Sequence, residues 1–188
     1  MAVAWNGVQA VPATKFTCGY CGRDVASDRG YFGHVDNVAY AAVIYICPYC
    51  EQPSYFRQGG QVPGVAYGND VGALPDDIAA LYREARASCS VSAYTASVLT
   101  CRKILINIAV AQGAEENLRF IEYVEYLAAN HYVPPNGLGW VDHIRLKGNE
   151  ATHEIELMSV EDAHELISFV EMLLKFIYEF PARVPAAP

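Results

Sequence analysis

The chain has 188 residues, 53% of them hydrophobic and only 18% charged, which is enough apolar material for a folded core and excludes an intrinsically disordered polymer. Its formal net charge is −8, and the balance is uneven: residues 1–66 carry four basic and four acidic side chains, leaving nine basic against seventeen acidic for residues 67–188. A nonspecific grip on a polyphosphate backbone relies on clustered Lys and Arg, and this balance argues against it while leaving room for a local basic site.

The opening residues MAVAWNGVQAVPATK lack a basic start followed by a sustained apolar run, and no later segment has the length of apolar chain that a membrane span requires. A cytoplasmic protein without membrane attachment is expected.

The next feature is the pair Cys18-Gly-Tyr-Cys21 and Cys47-Pro-Tyr-Cys50. Each CxxC bends into a tight turn that aims two sulfurs at one point, and two such turns supply the four thiolates of a closed tetrahedral site. Closed sites are structural, so the expected cofactor is a structural Zn2+ held by Cys18, Cys21, Cys47 and Cys50. Two disulfides would need an oxidising compartment, and iron on the same ligand set is the remaining option. Gly22 offers the backbone freedom the first turn needs, and Pro48 stiffens the second.

Val38 to Ile46 (VAYAAVIYI) is apolar, aromatic and β-branched, and reads as a buried strand leading into the second pair; Tyr31-Phe32 and Tyr55-Phe56 are further strand positions. Residues 14–58 therefore form a small β zinc ribbon, which the metal pins because so small a unit buries too little surface alone. Its tyrosines have two readings, as platforms for nucleic-acid bases or as the packing of a thin core. His34 lies in the spacer as a near neighbour of the metal at most.

Gly59, Gly60, Pro63, Gly64, Gly68 and Gly72 mark a linker over residues 59–73. Helices follow. Leu74-Pro75-Asp76-Asp77 places Pro and acids at a helix start, with Ile78, Leu81, Tyr82 and Ala85 at helical spacing. A second helix spans about Ser92 to Gln112, with Val98, Leu99, Ile104, Leu105 and Ile108 apolar and Gly113 as its stop. Further helices are expected from Glu116 to Asn130, from Gly139 to about His153, and from Val160 to Glu179, the last ended by Pro181. The fold class is thus α+β: a ribbon with an N-terminal extension over residues 1–58, a linker, an all-α bundle of about five helices over 74–182, and a tail over 183–188.

In the fourth helix Arg145, Asn149 and His153 recur every four residues, which places them within an arc of about 80° on one face. Two readings stand. In one, Arg145 holds a phosphate, His153 transfers a proton and Asn149 orients the imidazole, a set able to cleave RNA without metal. In the other, the three form an internal polar lock, with Arg145 paired to Asp142 or another carboxylate. Gly148 in mid-helix marks a close helix approach or a local break. Cys89 and Cys101 lack metal-ligand spacing and read as buried thiols, and Arg102, inside an apolar helix, is expected to pair with a bundle carboxylate.

With the CxxC pairs, Leu74-Pro75-Asp76-Asp77-Ile78, Cys101-Arg102-Lys103-Ile104-Leu105, Gly148-Asn149-Glu150-Ala151-Thr152-His153 and the terminal Tyr178-Glu179-Phe180-Pro181 taken together, the chain resembles the bacterial domain of unknown function 4145 family over most of residues 14–182. The resemblance implies a zinc ribbon joined to a helical domain similar to the HEPN superfamily, whose members include metal-independent ribonucleases of defence and RNA-processing systems and inactive binding modules. It also implies a homodimer with a composite site, and an RNA or protein partner. Asn149 and His153 match the polar residue and histidine of that superfamily's signature. Gly148 stands where its arginine belongs, with Arg145 one turn earlier, and Ile106 stands where a glutamate often follows the second-helix arginine. The expected function is a zinc-binding recognition or accessory module of a defence or nucleic-acid-processing system; the alternatives are a metal-independent endoribonuclease and a structural protein-interaction subunit.

Overall fold

The computed structural model describes residues 3–36, 38–134, 137, 139–141 and 157–184. The architecture is α+β, with strands first and helices after, and the chain divides into two compact units, residues 1–66 and 67–188.

The first unit is a five-stranded antiparallel sheet in sequential order: β1 (Gln9–Thr17), β2 (Asp24–Val35), β3 (Val38–Ile46), β4 (Pro53–Arg57) and β5 (Gly60–Val62). The strand expected over Val38–Ile46 is β3, the middle of the sheet. Register sets Phe32 opposite Val43 and Val43 opposite Phe56, so one face carries an apolar row across three strands. Phe16 joins that row at 5.1 Å from Phe56 and 5.8 Å from Tyr45, between ring centroids. Tyr45 is buried, and its hydroxyl donates to the Pro12 carbonyl at 2.8 Å, which removes the cost of a sealed phenol. Apart from the cysteines and Ile46, the buried apolar side chains here are Val11, Val43 and Tyr45. That is a thin core. His34 packs edge-on to Phe32, at 5.2 Å.

Gly30, opposite Tyr45 in the register, has no room for a side chain, since a Cβ there would fall 1.8 Å from the Ile44 carbonyl oxygen. Residues 3–8 form an arm tied down at three points. Trp5 donates its indole N–H to the Glu51 carbonyl at 2.8 Å, Val3 donates its backbone N–H to the Glu51 carboxylate at 2.8 Å, and Tyr31 donates its hydroxyl to the Asn6 carbonyl at 2.5 Å.

The second unit contains α1 (Asp76–Ser90), α2 (Tyr94–Ala111), α3 (Phe120–Ala129), α4 (Val160–Leu174), a π-helical turn (Lys175–Glu179) and α5 (Phe180–Arg183). Helix α2 lies at the centre of the packing, with Cys101, Ile104, Leu105, Ile108 and Ala109 fully enclosed. It is also the one described helix long and apolar enough to cross a membrane by length and composition, and this burial makes it a core helix. Each large aliphatic side chain sealed there contributes about 1.5–3 kcal/mol.

Leu99, one of the apolar residues of α2, is 57% exposed on its outer face. Two expectations change. Helix α3 starts after Arg119, later than residue 116, because Glu122 reaches back to the Arg119 backbone N–H at 2.7 Å and closes a capping box. Pro181 does not end the last helix. The π turn closes with Phe180 donating to the Lys175 carbonyl, and Pro181 then falls in the first turn of α5, where a missing N–H is harmless.

The stretch expected as a linker is divided between the units: Gly60–Val62 is β5, and Tyr67 to Gly72 is bonded to α1, α4 and the π turn. Residues 139–141 are helical, and the remainder of the expected fourth helix lies outside the described residues.

Candidate metal centre

The hairpins joining β1 to β2 and β3 to β4 carry the two cysteine pairs, and pairing of β2 with β3 brings both turns to one end of the sheet. The two turns are built alike. Gly22 donates its N–H to the Cys18 carbonyl at 2.8 Å, and Glu51 donates to the Cys47 carbonyl at 3.0 Å. Cys18 and Cys47 in turn donate to Arg23 and Gln52 at 2.9 and 3.0 Å. Gly22 and Glu51 both have left-handed backbones, with φ of 67° and 59°. The glycine signals this corner in the sequence. The glutamate does not, and the equal offset from each CxxC is the sign that could have found it.

The four Sγ atoms all lie within 4.8 Å of one another. Two of the separations are 3.6 Å (Cys18 to Cys50) and 3.9 Å (Cys21 to Cys47). A metal ion at about 2.3 Å from each sulfur of a tetrahedron requires an edge of about 3.8 Å, so the donor set fits a tetrahedral thiolate site. A disulfide would need about 2.05 Å, and all six described cysteines are free. Cys18 and Cys47 are fully enclosed while Cys21 and Cys50 are partly exposed. The Cys50 thiol is pushed up to about 12, by burial first and by the three sulfurs beside it, against a lowering hydrogen bond from the Gln52 backbone. Several thiolates crowded together in this way need a cation.

Two of the tyrosines weighed as stacking platforms or core packing flank these sulfurs. Tyr20 and Tyr49 hold the same place in the two turns, directly before the second cysteine, and are 54% and 58% exposed. The Arg23 guanidinium lies over the Tyr49 ring at 3.3 Å from its centroid. Gln61 donates to the Thr17 carbonyl at 2.8 Å, steadying the entry to the first turn. A Cβ on Gly19 would fall 2.3 Å from the Pro63 carbonyl oxygen, so the first turn packs tightly against that loop.

Arg145, Asn149 and His153 lie outside the described residues. Arg102 lies over the Phe120 ring at 4.3 Å, and no carboxylate among the described residues is bonded to it; burial lowers its basicity. Cys101 is sealed, its thiol pushed up to about 12 by burial and then by Cys89, and Cys89 is raised by burial as well. Both are inert thiols rather than nucleophiles.

A family model described as a domain of unknown function (DUF4145) matches residues 83–187. The match takes in most of the helical unit, and the cysteine turns lie outside it. No curated protein and no solved structure matches the chain.

Proposed function

The chain belongs to the DUF4145 family, and from that premise we propose that it is a zinc-binding recognition module whose ribbon takes single-stranded nucleic acid. Zinc is the ion this donor set suits: four soft thiolates in a tetrahedron leave no open position, so the metal supplies cross-linking and no chemistry of its own.

The observation that carries the reading is the pair of exposed tyrosines at equivalent places in the two turns, one with Arg23 laid over its ring. An exposed ring is a stacking surface for a base, and a guanidinium held at a ring keeps its N–H edge free for a phosphate. The first unit carries equal numbers of basic and acidic side chains, so recognition here depends on stacking more than on field. The resemblance supplies the setting, bacterial defence or nucleic-acid processing, and the expectation of a homodimer.

Fluorescence anisotropy with a labelled single-stranded RNA tests this on the zinc-loaded full chain. Binding is expected with a shallow salt dependence, since one or two phosphate contacts give a slope of about −1 in log K against log salt. Replacing both Tyr20 and Tyr49 by Ala should weaken it by about 2–6 kcal/mol, at 1–3 per stacked base. Undiminished binding by the double variant would sink the proposal.

A further inference from the structure

The helical unit contains a second built feature, independent of the cysteine turns. Residues 67–72 lie along α1 and α4 as a strap, and a cleft of about 510 Å³ opens beside it, lined among others by Tyr67, Asn69, Ser168, Lys175, Phe176 and Phe180.

The strap is held by charge and by one glycine. The Glu171 carboxylate accepts from the Asn69 backbone N–H at 2.8 Å, from the Asn69 amide at 2.9 Å and from Lys175. Arg86 donates to the Tyr67 and Gly68 carbonyls at 3.0 and 2.8 Å. Gly68 has φ of 79°, and a Cβ on it would meet Ile167, Glu171 and Tyr82 at 2.9–3.0 Å, so only glycine lets the strap approach this closely.

Part of the lining is aromatic. Ser168, Phe176 and Phe180 recur at multiples of four along α4, the π turn and α5. A regular α-helix drifts about 40° with each such step and would carry the stripe away from the strap. The wider π turn undoes part of that drift, and such turns are frequent at functional sites. Phe176 and Phe180 therefore stand together, edge to face at 5.3 Å, and remain 49% and 42% exposed although they are large and apolar.

The cleft offers a mixed polar edge. Ser168 donates to the His164 carbonyl at 2.9 Å, so the Tyr67 hydroxyl, 3.1 Å from Ser168, is the donor in that contact and keeps an oxygen lone pair. The Asn69 side-chain oxygen has no partner among the described residues, while Lys175 retains N–H donors beyond the one given to Glu171. The charge of Lys175 is already balanced by Glu171, which disfavours a phosphate or polyphosphate.

We propose that this cleft binds a planar, uncharged heteroaromatic ring with an amide-type edge, the ring against Phe176 and Phe180 and the edge toward Asn69, Tyr67 and Lys175. The volume suits a small ligand, and Asn69 and Lys175, both bonded to Glu171 Oε1, bring an amide acceptor and an ammonium donor to the lining of the same cleft.

Saturation-transfer NMR and calorimetry on the full chain test this with 2-pyridone as probe. Controls are 2-pyrrolidinone, which has the same edge without an aromatic face, and phenol, which has the face without the amide. Saturable binding of 2-pyridone is expected in roughly the millimolar range, as befits so small a ligand. Binding at least about fivefold weaker is expected for both controls, and for 2-pyridone with Phe176→Leu or Phe180→Ala, each at an exposed position that the fold tolerates. Failure of 2-pyridone to bind the unaltered protein, equal binding of either control, or undiminished binding by both variants would overturn the assignment.

Discussion

Gly22 and Glu51 occupy the same left-handed corner, one residue past each CxxC pair, at φ of 67° and 59°. A single backbone solution thus serves both cysteine turns, with glycine in one and a strained glutamate in the other. The strain at Glu51 is offset by two anchors from the N-terminal arm, the Val3 N–H on its carboxylate and the Trp5 indole on its carbonyl.

Gly22→Ala should cost about 1–2 kcal/mol, because nothing lies within 4 Å of an added Cβ and the penalty is backbone strain alone. Glu51→Gly relieves such strain but loses the Val3 bond, so a change under about 1 kcal/mol is expected. Urea unfolding of the two zinc-loaded variants checks the contrast.

Gly30→Ala belongs to a different order of effect. Its Cβ would overlap the Ile44 carbonyl oxygen, so β2 and β3 must separate where Tyr45 is seated. The expected outcome is loss of the sheet's tertiary packing, read as fast reaction of the four thiols of the CxxC turns with a thiol reagent while the far-UV helix signal persists.

One zinc per chain is expected by elemental analysis, and Cys50→Ser should abolish tight binding. The ion must displace thiol protons, and the Cys50 thiol, at about 12, holds its own well above neutrality in the ion's absence. Binding should therefore tighten as pH rises and release protons, which calorimetry in buffers of different ionisation enthalpy will show. Acid should discharge the metal to a chromophoric chelator.

Burial, the largest single influence on the Glu171 carboxyl, pushes it up, and the hydrogen bonds from Lys175 and Asn69 together with the Lys175 charge bring it below its usual range. A lowered folded value means stability that is present above the unfolded carboxylate value of about 4.3 and lost as pH falls through the lower folded value. Glu171→Gln should cost about 2 kcal/mol at pH 7 and flatten the acid limb of the stability profile. Tyr82, raised by burial first and then by Glu171, remains a hydroxyl across that range.

On the proposed reading as a recognition module, incubation of labelled RNA with the pure protein gives no cleavage; Gly148 stands where the resemblance would place the arginine of a ribonuclease signature. Cleavage that disappears in His153→Ala would establish the enzyme instead.

Much of the architecture was legible because its signals are local. A short apolar run rich in aromatic and β-branched residues marked β3, helical spacing after Pro75 marked α1, and the paired CxxC turns located the sulfur cluster. That Leu99 lies exposed was not legible, because an apolar residue in a helix looks the same whether or not a neighbour covers it. Pro181 misled because its effect depends on which hydrogen bond precedes it, and the π turn had removed the one it would have broken. Glycines at 59–72 read as slack chain, whereas Gly68 serves close approach.

By itself the sequence determined the order of strands before helices and the four sulfurs, because spacing and periodicity act within a few residues of one another. Only the tertiary structure decided that Glu51 mirrors Gly22, that Arg23 lies over Tyr49, and that Asn69 closes on Glu171 across 102 positions. Those relations depend on which surfaces meet once hydrophobic burial has brought distant segments together, and no local pattern encodes the meeting.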